Sequence, residues 1–433
     1  MRILSETPRE RRLEARQYHD CVETTTEGTL RLWLRPVETK TAGTDRMNHL
    51  KNMMIEWVIS RLSGKAQTLI PRYGFYAWAC LGLRGVPVAL LRGPTLQSGQ
   101  IGTLLVAGHD PWVAYLPNRF FVGEPQRELV GNVSLRDLPA LLDRLHEAAD
   151  LTIVRADRLS AEKFFGRDYL AVPEWIDMRL AVPGDLDELV RRNRSIREDM
   201  RLVRKHQLQP LVTEGEERFD EFFDSMYVPF SRDRHGTMAI IKGRQELRRF
   251  IRKGGILWVM RDHQPLAGVL YERNQDTFNL LAIGMASGEL PLKKRGIMAA
   301  LYYYSIQHAR QSGFAEVNFR AARSSLHDGL LRYKRKWGNA LFDNPNSYFD
   351  LMIRWNSVNG VVKDFFSHTG LIFRDNGGLS AIHADESQSR RSLWIEGLHR
   401  LYLLTESGRQ PMIDEGVPFK RNRSHTRFSS TLS

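Results

Sequence analysis

Cysteine is nearly missing from this chain: of 433 residues only Cys21 and Cys80 carry a thiol. A disulfide framework and any metal site built from several cysteines are excluded, and such usage suits a reducing compartment. Long apolar runs are missing too. The most apolar stretch, Tyr73 to Leu91, is broken by Arg84 and holds Gly82, Gly85 and Pro87. A membrane span needs about 20 mostly apolar residues, so this stretch reads as two buried strands around a turn. Residues Met1 to Arg16 are charged and have no apolar centre, unlike a secretory signal. A cytoplasmic location is the expectation. Also absent are Gly-x-x-x-x-Gly-Lys-Ser/Thr, Gly-x-Gly-x-x-Gly, Gly-x-Ser-x-Gly and His-Glu-x-x-His. Their absence argues against P-loop, Rossmann, hydrolase-elbow and zincin chemistry. The thirteen histidines are scattered with no metal-ligand spacing, so no metal is expected.

What is present is a large apolar complement and a surplus of positive charge. Hydrophobic residues make up 42% and aromatics 10% of the chain, enough for a sizeable interior. The length fits two or three domains at roughly 100–200 residues each. The 63 Lys and Arg against 50 Asp and Glu leave +13. That surplus favours anionic partners: phosphate-bearing cofactors, nucleic acid or acidic membrane surfaces. Acidic residues interleave with the basic ones nearly throughout, which equally fits general basicity. Residues 1–28 read as a flexible segment. Residues 407–433, with Arg409, Lys420, Arg421, Arg423 and Arg427 among polar residues, read as a disordered basic tail that buries too little to order itself.

Between the ends runs a weak internal repeat. Ala77-Trp-Ala-Cys-Leu81, a turn, and Val86-Pro-Val-Ala-Leu-Leu91 parallel Ile256-Leu-Trp-Val-Met260, a turn, and Leu266-Ala-Gly-Val-Leu-Tyr271. Each half then gives a helix and a short strand: Leu135 to Ala149 before Leu151 to Val154, and Ile297 to Ser312, stopped by Gly313, before Ala315 to Phe319. The repeat predicts an α+β protein of two like lobes, 29–182 and 183–406. At the seam, Asp185 reads as an N-cap with Glu188 three residues on. Leu186, Leu189, Val190, Ile196, Met200 and Val203 make a helical stripe interrupted by Asn193. Arg191, Arg192, Arg194, Arg197, Arg201, Arg204 and Lys205 make a basic opposite face. That face is either solvated or turned to phosphate.

The chemistry concentrates between Thr277 and Gly338. Thr277 to Met285 reads as a strand. After a loop, Lys293-Lys294-Arg295-Gly296-Ile297-Met298 opens a long helix. A strand, a basic turn with glycine and a helix N-terminus form an anion site, because free N–H groups and the helix dipole point at the ligand. Strand, basic glycine turn, helix, strand and a short helix ending in Trp337-Gly338 resemble the GNAT acyltransferases. In that family Gln/Arg-x-x-Gly-x-Gly/Ala binds the pyrophosphate of acyl-CoA. Lys293 and Gly296 match it, and Met298 departs from the last small position. The stretch from about Ala149 to Leu341 resembles the FemAB-like, cellulose-biosynthesis-associated (CelD-like) branch. It does so through Asp150 to Asp157, Arg201-Leu-Val-Arg-Lys205, Phe222 to Gly236 and Asp328 to Gly338.

The resemblance implies two GNAT-like lobes, mixed central sheets flanked by helices, the first lobe degenerate and the second catalytic. It also implies acyl-CoA as donor, bound by Leu281, Ala282, Ile283, Lys293, Lys294, Arg295, Gly296, Ile297 and Met298. Transfer to an amine needs a polarised thioester carbonyl, for which backbone N–H groups near Leu281 to Gly284 would serve. It needs a base, for which Glu272, His235 and Asp328 are candidates. For the leaving thiolate, many family members place a tyrosine four residues before the glycine closing the last helix. That place is Lys334, with Tyr333 beside it. The loop from Tyr227 to Gly236 offers Tyr227, Arg232, Arg234 and His235 for a sugar- or amino-acid-derived acceptor; alternatively Tyr227 and Phe230 seal the core. Ser324, His327 and Asp328 lie too close in sequence to be a hydrolytic triad. Two rival functions stand beside acyl-CoA transfer: an aminoacyl-tRNA donor meeting the basic helix face, and a non-catalytic scaffold in polysaccharide or envelope biosynthesis. Oligomeric state is not legible.

Overall fold

Strand pairing sorts this computed structural model, which describes residues 73–74, 76–77, 79–82, 85–108, 115–235, 241–286 and 296–414, into two sheets. The segment 1–28 and the tail beyond residue 414 lie outside the described residues. In chain order the strands are β1 (Gly85–Pro94), β2 (Ile101–Ala107), β3 (Gln126–Ser134), β4 (Leu151–Asp157), β5 (Leu170–Pro173) and β6 (Ile176–Ala181). Then come β7 (Gln209–Glu214), β8 (Gly254–Arg261), β9 (Gln264–Asn274), β10 (Thr277–Met285), β11 (Glu316–Ala322) and β12 (Ala340–Asp343). The last are β13 (Phe349–Trp355), β14 (Leu371–Asp375), β15 (Gly378–His383), β16 (Leu398–Thr405) and β17 (Gly408–Asp414). The first sheet has ten strands in the order β17-β16-β15-β14-β5-β13-β4-β2-β1-β3, and the second has seven, β12-β6-β11-β10-β9-β8-β7. Both mix parallel and antiparallel pairs. Helices flank them, so the architecture is α+β with two large mixed sheets.

The helices beside the first sheet include α1 (Leu138–Leu145), α2 (Arg158–Phe164) and α10 (Gly360–Thr369). Those of the second include α3 (Leu186–Arg192), α4 (Arg194–Lys205), α5 (Phe219–Phe222), α6 (Val228–His235), α7 (Arg244–Ile251), α8 (Ile297–Gln311) and α9 (Gly329–Lys336). Helix α8 connects the parallel strands β10 and β11, the crossover that parallel neighbours require. Its residues Ile297, Ala300, Leu301 and Ile306 are fully buried with Phe278, Val317 and Leu257 in the larger core. Among the described residues no helix is long and apolar enough to cross a membrane.

Four local expectations change. Residues 77–81 are not a strand: described residues from 73 to 80 are helical, and Gly82 at φ +67 ends the helix. Alanine at 77 and 79 favours this outcome, and the repeat loses its first arm. The helix over 185–205 is two helices, because Asn193 adopts extended backbone and caps α4, its Oδ1 accepting from the N–H groups of Ser195 and Ile196. Its side-chain amide also donates to the Lys336 carbonyl at 2.8 Å. The Tyr227–His235 loop is helical instead: α5, a π-helical turn Phe223–Tyr227 and α6 run on end to end. Finally, the sheets do not respect a cut at 182/183. Strand β6 lies between β11 and β12 in the second sheet, β13 to β17 return to the first, and pairing continues past residue 407 through β17.

The candidate site at the open seam of the second sheet

Strands β10 and β11 run parallel and pair only from Thr277↔Glu316 to Asn279↔Asn318. Each strand then bulges toward its outer neighbour, β10 between Leu280 and Ala282 against β9, β11 between Asn318 and Ala321 against β6. A bulge bends its strand and raises its twist, so two bulges at one level open the sheet between the strands. The opening is a cleft of about 200 Å³ walled by Leu280 to Ile283 of β10 and Phe319 and Arg320 of β11. Phe230 and Ser231 of α6 and Tyr302 of α8 complete it. Small-molecule pockets commonly reach about 300–1,000 Å³, so this one suits the reacting end of a ligand. Peptide groups beyond Asn279 no longer pair across the seam, which leaves backbone donors at the cleft wall.

Helix α6 reaches the cleft because the helical segment before it crosses β10 at a glycine. A Cβ on Gly284 would stand 2.7 Å from the Tyr227 nitrogen. Tyr227 itself is buried, stacks on Phe222 at 6.1 Å, and its hydroxyl accepts the Lys242 N–H at 2.9 Å. It therefore seals the core, the second of the two roles considered.

Arg320 holds a left-handed backbone at φ 60, which costs a side-chain-bearing residue roughly 1–2 kcal/mol. Three hydrogen bonds fix it there. Its N–H donates to Asn318 Oδ1 at 2.7 Å, and Lys334 Nζ donates to the Arg320 carbonyl at 3.0 Å and the Ala321 carbonyl at 2.7 Å. Lys334 is 3% exposed. Burial pulls its ammonium down to about 7, Asp177 and Asp328 oppose that, and Arg234 and Arg320 reinforce it.

Tyr302 is buried in α8, packing edge-on to Phe319 at 4.7 Å. Burial pushes its phenol well above the ordinary range, so it stays a proton donor at neutral pH. Glu272 of β9 sits opposite Asn279, which sits opposite Asn318, a polar row in register on one face of the sheet. Burial raises the Glu272 carboxyl, against the opposing pull of Lys253, Arg320 and Lys242.

Of the residues singled out from sequence, Leu281, Ala282 and Ile283 line the cleft, Lys334 holds the Arg320 wall, and Glu272 stands on the next strand opposite Asn279. Tyr333 does not line the cleft: it packs on Tyr302 at 5.4 Å and under Lys336 at 4.1 Å, with its phenol raised first by burial and then by Asp199. Asp328 is the N-cap of α9, accepting the Leu331 N–H at 2.9 Å. Gly296, at φ +83, precedes α8 and faces α4, where an added Cβ would meet Leu202 Cβ at 3.0 Å and the Asp199 carbonyl at 3.2 Å. Ile297 is buried and Met298 half-buried in the core behind it. Lys293, Lys294 and Arg295 lie outside the described residues, as does the His235 side chain. Arg232 and Arg234 are exposed on α6, and the Arg234 charge acts on Tyr302 and Lys334. Ser324 donates to the Pro173 carbonyl and so belongs to no triad. Sequence reasoning missed Arg320, Tyr302, Phe319, Ser231 and Lys242 as site residues. A cation directly after the buried Val317-Asn-Phe319 run was the signal for Arg320.

No protein-family model matches the chain, and no curated protein matches it. Some solved structures show partial likenesses. A FemX crystal structure is 14% identical over 64% of this chain and 90% of its own, at a TM-score of 0.34. L-PGS from Bacillus licheniformis is 13% identical over 63% and 87%, at 0.32. A GCN5-related N-acetyltransferase from Sphaerobacter thermophilus is 16% identical over 60% and 82%, at 0.28. At these scores the likenesses carry no argument about function, which rests on the seam itself.

Proposed function

We propose that the chain is a GNAT-type acyltransferase that moves an acyl group from coenzyme A directly to an amine at the seam between β10 and β11. The observation that carries this reading is the paired bulges of β10 and β11, which open a parallel pair into a cleft walled by a buried phenol and by peptide groups no longer paired across the seam, with a half-buried carboxylate on the next strand, β9. In this reading the thioester oxygen takes a hydrogen bond from a β10 N–H near Leu281, where a fixed donor stabilises the developing oxyanion. The amine nitrogen attacks the carbonyl carbon and its proton passes to Glu272, directly or through water. The carbon–sulfur bond breaks, and the thiolate takes its proton from Tyr302. Lys334 keeps the bulge in place. The first sheet is the companion lobe.

Scanning fluorimetry with coenzyme A, acetyl-CoA and longer acyl-CoAs tests the donor, because a ligand of the folded state raises its melting temperature. Stabilisation by acyl-CoA, with thiol release on adding amines, supports the reading. No shift with any of them sinks it. A second reading, aminoacyl-tRNA as donor, is favoured by one feature. Arg201, Arg204 and Lys205 are exposed on α4, the helix that packs against Gly296. Binding of tRNA that weakens steeply with salt would select it.

A further inference from the structure

Arg320 is more firmly held than a cleft wall requires. It takes a backbone conformation unfavourable for arginine, and Asn318 and Lys334 spend three hydrogen bonds keeping it. Strained residues persist where the surroundings over-determine them, and they cluster at functional sites. What the strain secures is the place of Arg320 in the cleft wall. Among the described residues Arg320 forms no ion pair, and neither do Lys242, Lys253 or Glu272. Yet the charges of Lys242, Lys253 and Arg320 all act on Glu272, and those of Arg320 and Glu246 on Lys242. Three cations and two carboxylates thus gather without closing on one another. Lys242 is half-buried, its amide tied to the Tyr227 hydroxyl and its ammonium 5.7 Å from the Phe250 ring. A half-buried cation whose neighbouring carboxylates, Glu246 and Glu272, stop short of an ion pair gains from an anion that arrives to pair with it.

We propose that Arg320 and Lys242 form the recognition site for an anionic group on the acceptor, so that the substrate is a primary amine carrying a carboxylate or a phosphate a few bonds from its nitrogen. The inference rests on the acyl-transfer reading and names its substrate class. The arrangement also suits the nucleophile. Cations around the seam disfavour the ammonium form of the incoming amine, the anion tether holds it despite that repulsion, and Glu272 lies beside both to take the proton. A guanidinium fits either oxyanion, since its planar fork bonds carboxylate and phosphate alike.

The test uses the full chain and matched amines at constant ionic strength: phenylalanine against phenylalaninamide, and glucosamine 6-phosphate against glucosamine. Thiol release from acetyl-CoA and the thermal shift by each amine alone are read in parallel. The anionic member of one pair should show kcat/KM at least tenfold higher and the larger thermal shift. Which pair responds distinguishes carboxylate from phosphate. Arg320→Met and Lys242→Met should raise KM for that member about tenfold or more, and by clearly more than for its neutral partner. Arg320→Lys should recover part of the loss, and Arg249→Met, at an exposed position of α7, should match the parent. Equal behaviour within both pairs overturns the proposal, as does a loss in Lys242→Met that is the same for neutral and anionic amines. Should Arg320→Met fail to fold, the parent protein and Lys242→Met still decide. No thiol release from any amine, with an anion-dependent thermal shift lost in Lys242→Met, overturns acyl transfer and leaves the anion site standing.

Discussion

The sequence offered one task, serving the leaving thiolate, to Lys334 or else to Tyr333; in the proposed reading it falls to Tyr302. The Lys334 ammonium spends its protons on two successive carbonyls, while the phenol at the cleft is Tyr302. Tyr302→Phe should lower kcat by about 10²-fold, the low end for loss of a positioned acid or base. Tyr333→Phe, away from the cleft, should stay close to the parent in the same thiol-release assay. Lys334 also shapes stability against pH. Its folded value of about 7 lies below the roughly 10.4 of a solvated lysine. Between those values the unfolded chain binds more protons than the folded one, so stability rises with pH across that window, and the full cost of burying the charge is present below it. Urea unfolding at pH 6, 7.5 and 9 should show that rise, and Lys334→Met should flatten it. Counting back from Gly338 made Lys334 legible as a residue of interest. Arg320 showed only as a cation after a buried run, because a positive φ at a non-glycine residue leaves no trace in the residue type.

Single elements show why pattern reading succeeded in some places and failed in others. Phe219, Phe222, Phe223, Met226 and Tyr227 fall at helical spacing and are all buried, so the helix over this segment was written in its apolar period. Pro229 and Gly236 drew attention to a loop instead, although Pro229, the second residue of α6, directly follows the π-helical turn, where the backbone hydrogen-bond register changes. At Asn193 the interruption was legible, and its capping role was not. Asn193→Ala removes the acceptor for two N–H groups and the bond to Lys336. It should destabilise by about 1–2 kcal/mol, the upper range for a lost N-cap. Gly296→Ala brings a Cβ to 3.0 Å from Leu202 and forces alanine to a positive φ. A loss of about 1–3 kcal/mol is expected from strain and overpacking, measured by urea unfolding with acyl-CoA omitted. The glycine thus has a structural reason to be there, whatever anion its basic neighbours meet.

At the scale of the whole molecule the α+β class and the mixed sheets followed from alternating strand and helix patterns, whereas the lobe boundaries did not. Strand β6 pairs with β11 and β12 across more than a hundred residues of chain, and nothing local in its sequence announces those partners. A fragment of residues 183–406 lacks β6, which would leave β11 and β12 with open edges inside the second sheet. Such a fragment should be insoluble or unfolded by circular dichroism, whereas one beginning before β6 keeps both pairs. Open strand edges invite aggregation, so light scattering of the two fragments separates the outcomes.

The place of β13 in the first sheet sets a schedule for the newborn chain. It lies between β4 and β5, yet its first residue, Phe349, is made long after Pro173 closes β5. At the usual pace of translation the wait is on the order of ten to thirty seconds. Until then β4 and β5 have no partner between them, while every strand of the second sheet has already been synthesised. The second sheet can therefore form first and hold the chain together, so that the seam is complete before the last place in the first sheet is filled.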